Sequence, residues 1–375
     1  MNKMNQTKNI FSVQILNSFI DGILFIVIPL LMIERNIDVV TIGFVFAALP
    51  LVFQFVRLFF GAISDVVGRK LFFIFNSVLN VILIIIYYFA FTPLEYLFGK
   101  VTEGVKNASL WSVNRASLLD HRKDKRSILV KMIGIAHIAY AAGIIIAGFL
   151  IAWLFYSNTL IFCIFLGLLT FPTALIIKIG KKRKFCIKTT FNILDIRKKG
   201  KIFKSFSLLS FIRGLSIGLI AGYIFPLFLK QNNFSVEMIG LVIGLNMLFV
   251  GIFSIFTRKI EIKKLVLYGG ISYCVLLFLL GLTNYSLAAI LLIIFGITRG
   301  FGHCIFETII SKVSNVNSYG GDVGILTTGL QVGIAISLAL SGLIITYFGF
   351  FGLFSLSALI YTVYFVLTYQ TFKKI

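Results

Sequence analysis

Residues 11–33 read FSVQILNSFIDGILFIVIPLLMI. A helix crossing the hydrocarbon of a bilayer needs about 20 apolar residues at a rise of about 1.5 Å each. This stretch meets that length, so it reads as a membrane span. It is too long for the apolar core of a secretion signal and has no small-residue cleavage site. Its polar members, Gln14, Asn17 and Asp21, share one helical face. The rest of the chain has the same character. Of its 375 residues, 59% are hydrophobic and 13% charged, about half the usual charged share of a globular protein. Mean hydropathy is +1.02. Water cannot be the solvent for so much apolar surface, which excludes a soluble enzyme, a secreted disulfide scaffold and a disordered chain. Cys163, Cys186, Cys274 and Cys304 are scattered, without C-x-x-C or metal-ligand spacing.

Twelve such spans follow one another, at 11–33, 41–60, 71–91, 94–119, 128–156, 158–179, 205–230, 235–257, 265–283, 285–311, 322–347 and 349–371. They are too long for buried strands and lack the alternation of a membrane barrel. Basic residues mark one side of the membrane. Lys3, Lys8, Arg69, Lys70, Arg122, Lys123, Lys125, Arg126, Arg258, Lys259, Lys263, Lys264, Lys312, Lys373, Lys374 and the basic stretch 178–204 all fall there, against Arg35 and Lys230 opposite. The positive-inside rule places that side, with both termini, in the cytoplasm of a cell that carries the protein in its cytoplasmic membrane. The net charge of +22 is therefore spread along the membrane, with anionic lipid as its partner and no role for nucleic acid.

The basic segment 180–204 splits the chain into 1–179 and 205–375. At an offset of 197, Pro29 falls on Pro226, Gly43 on Gly240, and Phe98-Gly99 on Phe295-Gly296. The expected fold is an all-α integral membrane protein of two pseudo-symmetric six-helix bundles, an arrangement typical of transporters.

A charge in a span costs at least about 2.5 kcal/mol on insertion scales and needs a reason. The first span carries Asp21; the fourth carries Lys100, Glu103, Lys106 and Asn107; the seventh carries Arg213; the tenth carries Arg299, His303 and Glu307. Those are the corresponding helices of successive three-helix units, as if they lined one aqueous cavity. Asn17, Lys100, Lys106, Asn107, Arg213 and Arg299 are the candidates for contact with a substrate. Asp21, Glu103, Glu307 and His303 are the candidates for carrying a proton. Plainer readings stand beside these. Lys100–Glu103 is spaced as a self-neutralising pair, Asp21 could form a fixed ion pair with Lys106 or Arg299, and His137 reads as a packed, hydrogen-bonded histidine.

Between the second and third spans lies Gly61-Ala-Ile-Ser-Asp65-Val-Val-Gly68-Arg69-Lys70. This resembles the signature loop of the major facilitator superfamily, G-x-L-x-D-[RK]-x-G-R-[RK], with Ile63 for leucine and Val66 for the basic residue. The resemblance implies a cytoplasmic latch. Asp65 would face the positive N-terminus of the eleventh helix near Gly321, and Arg69 would pair with Asp120. In the fifth span, Ala139 to Gly148 resembles the G-x-x-x-G-P-x-x-G-G pattern of that superfamily's proton antiporters, with Ile144 in place of the proline. The resemblance implies a secondary transporter working by alternating access. Proton-coupled export of small organic or drug-like compounds ranks first, ahead of proton-coupled uptake of an organic anion or zwitterion. No ATP-binding motif, nucleophile–base spacing, metal-ligand set or cofactor fingerprint is present, so neither an enzyme nor a cofactor is expected. A non-transporting membrane sensor is the alternative from another class. The expected partners are a small-molecule substrate, protons and lipids, and the expected state is a monomer.

Overall fold

A computed structural model describes residues 3–119, 125–177, 196–257, 260–283, 285–314 and 319–373. Eleven α-helices follow in order: α1 Lys3–Glu34, α2 Val39–Val67, α3 Arg69–Phe89, α4 Pro93–Leu119, α5 Lys125–Leu175, α6 Lys201–Gly218, α7 Ile224–Gln231, α8 Val236–Phe256, α9 Ile262–Leu282, α10 Tyr285–Val313 and α11 Tyr319–Lys373. With 51 and 55 residues, α5 and α11 would run about 75–80 Å if straight, twice what a bilayer accommodates. Each instead folds back at one residue. Phe155 has φ 61° and ψ 171°; Gly349 has φ 64° and ψ −173°. The two halves thus use the same backbone turn at matching places. Gly349 adopts it freely, whereas Phe155 occupies a region nearly reserved for glycine. The turns lie within two residues of the expected gaps at 157 and 348.

Composition alone picks out eight helices as long and apolar enough to cross a membrane, two of which are these folded-back pairs. The charges of α4 and the break between α6 and α7 keep those spans out of that set. With them the fold has its twelve spans. The seventh, expected to be continuous over 205–230, is interrupted at 219–223. There the hydrogen bonds tighten to Ile220 N–H to Ile217 O (3.1 Å) and Ala221 N–H to Gly218 O (3.4 Å). Gly222 has φ 61° and rests against Phe46. Its counterpart in the first half is Phe25, and α1 runs unbroken through Pro29.

Packing repeats from half to half. The pairs α1–α5, α2–α4, α3–α4 and α3–α5 recur as α6–α11, α8–α10, α9–α10 and α9–α11. Two further pairs, α2–α11 and α5–α8, join the halves. With no hydrophobic effect to drive helices together in lipid, small residues must let backbones approach. A Cβ on Gly22 would collide with the Tyr140 carbonyl, and one on Gly214 with that of Leu330. At the α5–α8 seam a Cβ on Gly240 would lie 2.8 Å from the Gly148 Cα, and one on Gly251 would lie 2.9 Å from the Gly134 carbonyl oxygen. Gly143 and Gly148, in the stretch similar to the antiporter pattern, are both such contacts. Gly68, at φ 104°, turns the chain between α2 and α3. At the loop before α2, Asp38 accepts from Thr41 N–H (2.9 Å) and Thr41 Oγ1 (2.6 Å), which holds its carboxyl below the usual carboxylate range.

Overpacking a close contact costs about 1–3 kcal/mol. Gly240→Val is therefore expected to lower the melting temperature of the detergent-purified protein by several degrees. Gly200→Ala, with nothing within 4 Å of the added carbon, should leave it unchanged. Equal melting temperatures for the two variants would remove Gly240 from the seam.

Candidate functional site

A cavity of about 520 Å³ lies between the halves. Residues from every helix but α3 line it, and one end of it is shut by packing of α1 against α7. That end contains the buried run Ile26 to Met32 together with Ile224, Phe225 and Leu227 to Leu229, and Tyr223 Oη lies 2.8 Å from Ser341 Oγ. The shut end is the one opposite the chain termini.

In the first half every cavity acid holds a lysine. Asp21 on α1 is ion-paired with Lys106 on α4, whose ammonium is fully buried. Glu103 accepts from Lys100 Nζ (2.8 Å) and Tyr87 Oη (2.7 Å). The Lys100 ammonium also sits 4.1 Å from the ring centroid of Phe46, a cation–π contact. Behind this wall is a ladder of amides. Asn80 donates to Asn17 Oδ1 (2.7 Å), Asn17 to Val13 O (2.9 Å), Asn114 to Gln14 Oε1 (2.6 Å) and Asn76 to Lys106 O (2.9 Å). These bonds tie α1, α3 and α4 together around the Asp21–Lys106 pair.

The second half is different. Arg213 on α6 is buried, donates from NH2 to the Gly302 carbonyl (3.1 Å), and has its guanidinium 4.6 Å from the Phe306 ring centroid. Arg299 on α10 donates from NH1 to Asn246 Oδ1 (2.7 Å) and Met247 Sδ (3.7 Å). Among the described residues, neither arginine has a carboxylate within ion-pair distance. His303 faces His137 of α5 with ring centroids 4.9 Å apart, so the two imidazoles meet across the halves. His137 Nδ1 lies 2.8 Å from the Ile133 carbonyl, which can only accept, so that nitrogen carries hydrogen.

Of the residues expected at the site, Asp21, Lys100, Glu103, Asn107, Arg213, Arg299, His303 and Glu307 line the cavity together. Asn17 and Lys106 are buried one layer behind it. Arg213 points into the protein and not towards headgroups. Asn76 and Asn80, two amides one turn apart in the largely apolar α3, escape a reading that follows charges alone. Their i, i+4 spacing is the signal that could have found them. Tyr87 carries no such signal, since a tyrosine near a span end is ordinary. Of the expected latch, Gly68 joins α2 to α3 and Arg69 and Lys70 open α3. Gly61 and Asp65 lie on α2 with side-chain surroundings outside the described residues, and Asp120 lies outside them altogether. At the start of α11, Asp322 accepts from Lys199 (2.6 Å).

Breaking a buried ion pair on one side strands the other charge and costs about 3–5 kcal/mol. Lys106→Met should therefore destabilise the protein strongly, and adding Asp21→Asn should restore most of the melting temperature. A double variant as unstable as the single one would mean that the pair is not what holds α1 to α4.

The family model described as Major Facilitator Superfamily matches residues 10–260 and 206–373. Among curated proteins none matches the sequence. Solved structures with the same fold include the human organic anion transporter MFSD10 (TETRAN), at a TM-score of 0.76, 14% identity, and coverage of 98% of this chain and 99% of that one. The nucleoside transporter NupG has a TM-score of 0.77, and a point mutant of it 0.79, each at 14% identity and the same coverage. At such identity the likeness establishes the fold alone. With twelve spans, a shared cavity between two halves and a family model that covers nearly the whole length, the chain belongs to the major facilitator superfamily.

Proposed function

We propose that this protein is a secondary active carrier that takes up a small organic anion with protons by alternating access. The observation that carries the reading is the imbalance of the cavity. Asp21 and Glu103 are each neutralised by a lysine, whereas Arg213 and Arg299 have no carboxylate partner among the described residues. A positively charged pocket favours an anion over a cation. Two rigid halves, 1–179 and 205–375, rock about the fixed site, joined by the linker 180–204. The loop Gly61 to Lys70 acts as their latch on the side of the termini. The distribution of lysine and arginine assigns that side to the cytoplasm, which makes the shut end external and the conformation inward-facing.

Proton coupling follows from the ion pair. A proton on Asp21 cancels its charge and leaves the Lys106 ammonium uncompensated beside the cavity, so proton and anion reinforce each other's binding. Glu103 is held by both Lys100 and Tyr87, which suits a fixed role better than a titrating one. The His303–Glu307 pair on α10 is the secondary candidate. Export of flat, drug-like compounds is a second reading, favoured by the aromatic lining of Phe25, Phe46, Phe53, Trp111, Tyr140 and Phe225.

The test is uptake by protein reconstituted into sealed vesicles, with matched labelled anions and cations. Anions should accumulate under an inward proton gradient, and their affinity should rise as the pH falls. Asp21→Asn mimics the protonated acid, so it should bind the anion with an affinity independent of pH, keep exchange, and lose gradient-driven accumulation. Full accumulation in that variant would remove Asp21 as the coupling group. Transport confined to cations would overturn the anion reading.

A further inference from the structure

The two cavity arginines are not equivalent. Arg299 spends NH1 on Asn246 and Met247, both on α8, and so serves to tie α10 to α8. Arg213 has its guanidinium face beside Phe306, its NH2 bonded to the Gly302 carbonyl, and its Nε buried with no hydrogen-bond partner. A buried N–H left without an acceptor costs on the order of 1–3 kcal/mol. NH2 carries two hydrogens, and Gly302 takes one. On a guanidinium the Nε–H and one NH2 hydrogen share an edge, the fork that a carboxylate fills with its two oxygens. Gly302 leaves this corner without a side chain of its own: a Cβ there would stand 3.3 Å from Tyr361 Oη and 3.6 Å from Arg213 NH2.

We infer that Arg213 is the specificity-determining residue of the cavity and that the group it recognises is a carboxylate, held side-on through Nε and NH2. This rests on the anion reading above and narrows it. One fork edge offers two coplanar donors, which suits a planar group with a single negative charge. A phosphate dianion, with three acceptor oxygens and a second charge, would need donors beyond the two that this edge supplies. The rest of the ligand would lie among Phe306, Tyr361, Tyr273 and Phe225, so an aromatic or compact apolar body is the natural companion of the carboxylate.

The experiment is a thermal-shift titration of the detergent-purified full chain with a fixed panel. Benzyl, indolyl and short alkyl bodies each carry a carboxylate, phosphate, sulfonate, amide or amine. Carboxylates are expected to stabilise the wild type selectively, and Arg213→Lys, which keeps the charge but loses the fork, should weaken them by on the order of tenfold or more. Arg299→Lys should weaken all anions alike and leave the order of preference intact. Phosphates or sulfonates outranking carboxylates, or carboxylate binding undiminished in Arg213→Lys, would overturn the inference and spare the anion reading. Stabilisation by amines alone, or by no member of the panel, would overturn both. If Arg213→Lys does not fold, the wild-type ranking decides by itself.

Discussion

Lipid cannot solvate a charge, and every feature of this structure answers to that constraint. A carboxylate or ammonium within a span must find an opposite charge, a set of hydrogen bonds, or a shared aqueous pocket. Asp21 and Lys106 satisfy the requirement by pairing between α1 and α4. That pair in turn sits against an amide ladder reaching α3. Lys100 and Glu103 satisfy it within one helix, with Tyr87 as a third partner. Arg213 on α6 and Arg299 on α10 have no carboxylate within ion-pair distance among the described residues. Both line the cavity, where an exogenous anion can supply the charge that the protein does not.

The two halves share an architecture and differ in electrostatics. Matching turns at Phe155 and Gly349, equivalent helix pairs, and glycine contacts at Gly22 and Gly214 show one packing solution used twice. On that common frame the first-half acids Asp21 and Glu103 each pair with a lysine, whereas among the described residues Arg213 and Arg299 of the second half pair with no carboxylate. A carrier needs a proton-sensitive element and a cargo-binding element that communicate through a common space. In the proposed mechanism the first half would supply the former and the second half the latter, both lining a cavity of about 520 Å³.

Much of the fold was legible because apolar length, basic loops and the offset repeat are properties of the solvent and the topology. The turn positions followed within two residues for the same reason. The break in the seventh span was not legible, because it depends on Gly222 meeting Phe46 from another helix. The polar residues singled out on the first, fourth, seventh and tenth spans line one cavity, apart from Asn17 and Lys106 behind its wall, since which residues share a span is a local property. The sequence left the partner of Asp21 open between Lys106 and Arg299, and only the approach of α1 to α4 selects Lys106. Arg213 read as a cavity residue with no partner named, and Phe306 and Gly302 of α10 receive it. Pairings between helices are tertiary facts, and one sequence carries no direct record of them.

If the cavity serves alternating access, the seal between α1 and α7 must open in part of the cycle. Its most direct test is a pulsed electron–electron distance measurement between spin labels at Asn36 and Gln231, at the ends of those helices on the shut side, in a background freed of native cysteines. Two distance populations are expected, with the longer one changing in weight when the pH is lowered or a bound anion is added. A single short population, unmoved by either, would contradict the account.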